Sequence, residues 1–77
     1  MPSSQAKTDF VARVANLAIR ESRKHKLGIP FAFDVPANEI PDGFKPEDIR
    51  GLVEIKVSRS GLVTMGSSGW TYRFFKQ

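Results

Sequence analysis

The sequence predicts an α+β fold in which one N-terminal amphipathic helix packs on one face of a three- or four-stranded antiparallel sheet. Two observations support this prediction. Over residues 8–26, apolar residues recur every three or four positions, which is the period of a helix. After residue 51, apolar and polar residues alternate between Gly/Ser clusters, which is typical of a C-terminal β-meander.

The chain length and composition set the scale of this fold. The 77 residues are enough for a single small domain, which buries only about 60% of its unfolded surface. The chain has no cysteine, so it can form neither a disulfide nor a thiolate site. Its stability must come from the apolar core, and homodimerisation is left open as a further source. Residues 1–7 precede the apolar pattern and are predicted to be flexible.

The predicted helix over residues 8–26 has one apolar face and a clear stop. Gly28 suits the left-handed position just past a helix end, and Pro30 cannot continue the helix. The apolar face comprises Phe10, Val11, Val14, Leu17 and Ala18, with Ala15 and Ile19 beside them.

Between the helix and the meander, the pattern is less regular. Phe31–Val35 alternates and is consistent with a short edge strand, although the sequence leaves open whether it joins the sheet. Residues 36–51 contain three prolines and four acids, and we interpret them as an ordered acidic loop. Within this loop, residues 46–48 (Pro-Glu-Asp) resemble the start of one helical turn, which Gly51 would end.

The meander is predicted to have strands at residues 52–58, 62–65 and 70–75. A three-residue loop with Gly61 in the left-handed bulge position joins the first two strands, and residues 66–69 join the last two. This register pairs Met65 with Trp70 and Val63 with Tyr72. It places on the helix-facing side Val53, Ile55, Val57, Val63, Met65, Trp70, Tyr72 and Phe74.

The sequence argues against several classes of function. There is one histidine, His25, and we interpret it as an i,i+4 partner of Glu21 rather than a general base. The Gly-Ser-Ser-Gly stretch at 66–69 lacks the pattern of a nucleophile elbow. We therefore predict no enzyme, no catalytic residue, no metal and no cofactor. No segment has the composition of a membrane span or a secretory signal, so a cytoplasmic location is predicted.

The charge pattern supplies the functional hypothesis. Arg13, Arg20, Arg23 and Lys24, which we name the basic stripe, fall on the helix side opposite the apolar face. Bases in the last helical turn favour the helix dipole, but this does not explain Arg13 or Arg20. The four residues of the basic stripe are candidate phosphate contacts. Lys56 and Arg73 form a candidate second patch on the open sheet face, where Phe75 is a candidate partner contact.

Two functions follow as hypotheses. The first is a small non-enzymatic binding module that contacts DNA or RNA through the basic helix face. The alternative is a protein-interaction module, such as a small regulator or inhibitor of a larger protein. It would use the open sheet face, the edge strand or the acidic loop. Neither hypothesis involves a membrane.

Overall fold

The computed structural model describes residues 4–77 as two helices and a three-stranded antiparallel sheet, which confirms the predicted α+β class. A short 3₁₀ turn separates the first strand from the second helix. In chain order the elements are α1 (Ser4–Ser22), β1 (Phe31–Asp34), the 3₁₀ turn (Ala37–Glu39), α2 (Pro46–Ser58), β2 (Leu62–Ser68) and β3 (Thr71–Lys76).

The sheet has the order β1-β3-β2, so β3 is central and β1 is an edge strand. The strand predicted at Phe31–Val35 therefore joins the sheet, and Val35 N–H extends the pairing by donating to Trp70 O at 3.0 Å. Tyr72 and Phe74 on β3 are fully buried, whereas Arg73 between them is exposed. One face of the sheet is thus covered by the helices and the other is open.

The core lies between the two helices and the covered face of the sheet. Its fully buried side chains come from every layer: Val14 and Ala18 from α1; Ile49, Val53 and Val57 from α2; and Tyr72 and Phe74 from β3. No helix among residues 4–77 is both long and apolar enough to cross a membrane.

Helix α1 differs from its prediction at both ends. It begins at Ser4, so residues 4–7 are helical rather than flexible, and residues 1–3 lie outside the described part of the chain. It ends at Ser22 rather than at residue 26. The next three residues form i→i+3 hydrogen bonds, such as Lys24 N–H to Glu21 O at 3.0 Å, which tighten the last turn into 3₁₀ geometry. The predicted buried face is confirmed for Phe10, Val11, Val14, Ala15 and Ala18.

The strand predicted at residues 52–58 is wrong, because these residues belong to helix α2. The predicted helical start is confirmed: Pro46 occupies the first turn, and Lys45 N–H donates to Asp48 Oδ2 at 2.8 Å. The helix does not stop at Gly51 but continues to Ser58. Its buried residues are Ile49, Val53 and Val57, four positions apart, and they form one helical stripe.

The β2–β3 hairpin has a different register from the predicted one. Ser68 pairs with Thr71 across a two-residue loop, and Val63 pairs with Phe75 instead of Tyr72. A register shift between Thr64 and Gly66 marks a β-bulge. The predicted faces are confirmed for Tyr72 and Phe74 but wrong for β2, where Leu62 is buried and Met65 is 51% exposed. Trp70 is only partly buried, and its ring centroid lies 5.8 Å from that of Phe10.

Two glycines in and after α2 are expected to respond oppositely to substitution by alanine. Gly51 lies inside the helix, and Gly61 has a φ of 85° in the turn that follows the helix. A Cβ at either position would meet no heavy atom within 4 Å. Gly51→Ala should therefore stabilise the fold by about 0.5–1 kcal/mol, because glycine is a poor helix former. Gly61→Ala should destabilise it by about 1 kcal/mol, because of the left-handed Cβ penalty.

Thermal unfolding of both variants beside the wild type checks this pair of signs. A lower melting temperature for Gly51→Ala would mean that the chain leaves helical geometry at residue 51, as it would in a short turn ended by glycine.

Candidate nucleic-acid interface

Helix α1 and the turn after it expose the four residues of the basic stripe, Arg13, Arg20, Arg23 and Lys24. Arg13 and Arg20 lie on the helix itself. Their side of α1 is exposed because the opposite side is buried in the core. Arg23 and Lys24 lie just beyond the helix, in the turn that directly follows α1. Exposure is therefore as predicted, but the four differ in whether their charges are already paired.

Arg13 is held by a carboxylate distant in sequence. Its Nε donates to Glu39 Oε2 at 2.7 Å, and its Nη2 donates to Glu39 Oε1 at 2.9 Å. The paired guanidinium holds the pKa of the Glu39 carboxyl below its usual range, chiefly through this hydrogen bonding. A bidentate pair uses the donor geometry that would otherwise grip a phosphate. Arg13 is therefore the weakest of the four candidates.

Lys24 is also paired, within a small group at the end of α1. Its Nζ lies 3.3 Å from Glu21 Oε2, and this contact lowers the pKa of the Glu21 carboxyl. His25 Nε2 lies 3.5 Å from Glu21 Oε1, so the two are neighbours as the i,i+4 spacing predicted, but this nitrogen makes no hydrogen bond within residues 4–77. The His25 ring also stacks on Phe31, with ring centroids 4.4 Å apart, so this imidazole packs against the edge strand.

Arg20 and Arg23 are the members of the basic stripe with no ion pair to any residue in 4–77. Their guanidinium groups are therefore available to an anionic partner.

The predicted second patch is not formed. Lys56 lies on α2, which packs on the covered side of the sheet, whereas Arg73 points from the open face. The two would share a face only if residues 52–58 formed a strand. Phe75 is half-buried on the open face, opposite Val63. Arg73 neighbours Ala32 and Gly66 across the sheet, so Lys56 adds no charge beside it.

Two backbone hydrogen bonds join three basic segments at one end of the sheet. Gly28 N–H donates to Lys76 O at 2.9 Å, and Gln77 N–H donates to Gly61 O at 2.9 Å. The turn after α1, the end of β3 and the turn after α2 therefore lie side by side. The sequence prediction assigned residues 52–58 to a strand, so it contained no turn after a second helix and could not place these three segments together.

These three segments carry bases and no acidic side chain. Asp and Glu are absent from residues 22–33 and from residues 55–77. The basic residues of the three segments that make no ion pair within 4–77, which we name the basic end, are Arg23, Lys26, Arg59 and Lys76. Sequence reasoning missed Lys26, Arg59 and Lys76 as candidates. The two acid-free stretches were the signal that could have found them.

Helix-dipole capping explains only part of the basic end. Arg23 and Arg59 directly follow α1 and α2, where positive charge is favoured by about 0.3–1 kcal/mol. Lys26 lies four residues beyond α1, and Lys76 lies on a strand, so no helix dipole accounts for them. An accumulation of like charge without a local structural cause is typical of a surface that meets an anion.

No three His, Asp or Glu side chains in residues 4–77 converge as a metal site would require. In comparisons with known proteins, the chain matches no family model, no curated protein and no solved structure.

Proposed function

We propose that this protein is a small non-enzymatic binding module that holds a nucleic acid by its phosphates. The basic end makes the principal contact, and Arg20 extends it along α1. The supporting observation is the pair of backbone hydrogen bonds that gathers Arg23, Lys26, Arg59 and Lys76 from three segments that carry no acidic side chain of their own. Phosphate contacts of this kind supply affinity and little sequence specificity. We place the module in the cytoplasm, where a chain without cysteine needs no oxidising environment.

The proposed contact includes only part of the basic stripe. Arg13 is excluded from the contact because Glu39 already binds it in a bidentate pair. Lys24 contributes less than Arg23, because Glu21 partly neutralises it. Lys56 and Arg73 lie on opposite sides of the sheet and do not act together.

Two double variants that remove the same net charge test the proposal. Lys26→Gln with Arg59→Gln removes two charges from the basic end. Arg13→Gln with Lys45→Gln removes two charges near the other end of the sheet, where Phe44 and Trp70 both contact Phe10. Because generic attraction depends on net charge alone, only a localised interface distinguishes the two variants.

Binding is measured by fluorescence anisotropy with short labelled DNA and RNA duplexes near physiological ionic strength. We expect the basic-end variant to bind at least tenfold more weakly than the wild type, and the control variant to bind nearly as well. Circular dichroism checks that both remain folded. If both variants lost the same amount of affinity, binding would depend on net charge alone and not on the basic end. If the wild type bound neither duplex, the proposal would be wrong.

A further inference from the structure

Strand β1 has a free edge with unpaired backbone groups. Its pairing with β3 runs through Phe31, Phe33 and Val35; the last donates to Trp70 O at 3.0 Å. Backbone groups alternate in direction along an antiparallel strand, so Ala32 and Asp34 direct their N–H and C=O groups away from β3. No backbone or side-chain group of residues 4–77 outside the sheet is bonded to them.

A groove of about 390 Å³ runs along this free edge. One wall is strand β1, and the other is the C-terminal half of α1. The residues that line it include Leu17, Arg20, Glu21, Lys24, Ala32 and Asp34. Unpaired backbone donors and acceptors along a groove are complementary to one kind of occupant, which is another extended strand.

The helix wall of the groove selects the charge of this occupant. Glu21 is paired with Lys24 at 3.3 Å, so Arg20 is the unpaired charge on that wall. The Asp34 carboxylate accepts a hydrogen bond from the Thr71 hydroxyl and belongs to the open face of the sheet, whereas the helix wall with Arg20 lies on the covered face. An incoming strand is therefore favoured when it directs an acidic side chain towards Arg20.

A second copy of this chain fits the groove less well. Twofold pairing of β1 with itself would place both α1 helices on the same side of the joined sheet. The two helix walls, each carrying an unpaired Arg20, would then lie on the same side of the junction, and their like charges would disfavour the pairing. An acidic segment of another protein avoids this repulsion.

We propose that the free edge of β1 binds an extended acidic peptide by strand addition, with Arg20 pairing one of its carboxylates. This surface differs from the basic end in chemistry, because backbone hydrogen bonds supply the contact and Arg20 supplies the selection. A nucleic acid cannot form such a ladder. The inference therefore does not rest on the proposed phosphate contacts.

The test uses two labelled synthetic peptides, one alternating valine with glutamate and the other alternating valine with lysine. Fluorescence anisotropy is expected to show saturable binding of the glutamate peptide at concentrations on the order of 1 mM or below. The lysine peptide should bind at least tenfold more weakly, and Arg20→Gln should reduce this difference. Failure of the glutamate peptide to bind, or equal binding of both peptides by the wild type, would overturn the proposal.

Ala32→Pro tests the backbone contact, because proline removes the outward N–H while remaining tolerable on an edge strand. This variant should bind the glutamate peptide at least tenfold more weakly, whereas the control Ala32→Val should bind it normally. Duplex binding should survive in both variants. If Ala32→Pro does not fold, amide hydrogen exchange replaces it, since the peptide must slow exchange at Ala32 and Asp34. Unchanged peptide binding by folded Ala32→Pro, or unchanged exchange, contradicts strand addition. Sedimentation showing a wild-type dimer that Ala32→Pro abolishes would assign the edge to a second copy instead.

Discussion

Val53→Asp is expected to unfold the protein, whereas Ile55→Asp is expected to leave it folded. Val53 is fully buried in the stripe that α2 presents to the core, and Ile55 on the same helix is 54% exposed. A carboxylate at position 53 would lie in the apolar core without a partner, at a cost of several kcal/mol. The total stability of a domain of this size is only about 4–12 kcal/mol at typical values per residue.

The contrast between these variants distinguishes a helix from a strand at residues 52–58. In a strand, residues 53 and 55 share one face, so both substitutions would be equally damaging. Circular dichroism and thermal melts of the two variants provide the comparison. If Ile55→Asp unfolds the protein as completely as Val53→Asp, helix α2 is incorrect.

Phe74→Ala is expected to destabilise the protein by about 3–5 kcal/mol, which is a large part of the total stability of a domain of this size. Phe74 is fully buried on the central strand, and its ring centroid lies 5.9 Å from that of Phe31 and 5.8 Å from that of Tyr72. Removing the ring would leave a cavity bordered by two strands, and a sheet can collapse little to fill it.

Phe75→Ala is the matched control, because the same side chain is removed one residue further along the same strand. Phe75 lies on the open face and is half-buried, so its loss should cost much less than that of Phe74. Chemical denaturation of both variants measures the difference. A larger loss for Phe75→Ala would mean that the helices cover the other face of the sheet.

Helix α1 could be predicted from the sequence because its pattern allows one interpretation. Phe10, Val14 and Ala18 recur at helical spacing, and polar residues fill the opposite face. Gly28 and Pro30 then prevent any continuation beyond the turn. The exact ends could not be predicted, since fraying and 3₁₀ turns depend on local hydrogen bonds.

Helix α2 was missed because its sequence satisfies two periods at once. Val53, Ile55 and Val57 alternate as in a strand, and β-branched residues favour strands. Ile49 and Val53, with Val57, also recur every fourth residue, which is the spacing that the core selects. The helical start at Pro46 favours a helix over a strand, but Gly51 is a residue type that commonly ends a helix.

Which charges are paired could not be predicted from the sequence, because the pairing of Arg13 depends on the path of the chain after β1. Arg13 and Glu39 are 26 residues apart, and only the 3₁₀ turn brings the carboxylate to the helix. Likewise, the hydrogen bond between Gly28 and Lys76 joins segments that are distant in sequence. Charge composition could therefore indicate a basic surface, but not which bases compose it.

The salt dependence of duplex binding by the wild type and the basic-end variant tests the central claim most directly. If Lys26 and Arg59 each bind a phosphate, the logarithm of the binding constant falls linearly with the logarithm of salt concentration. The slope should then be shallower in Lys26→Gln with Arg59→Gln by about 0.9 for each B-DNA phosphate that the variant no longer neutralises. The control Arg13→Gln with Lys45→Gln should keep the wild-type slope. An unchanged slope in the basic-end variant would contradict the claim that this end of the sheet binds nucleic-acid phosphate.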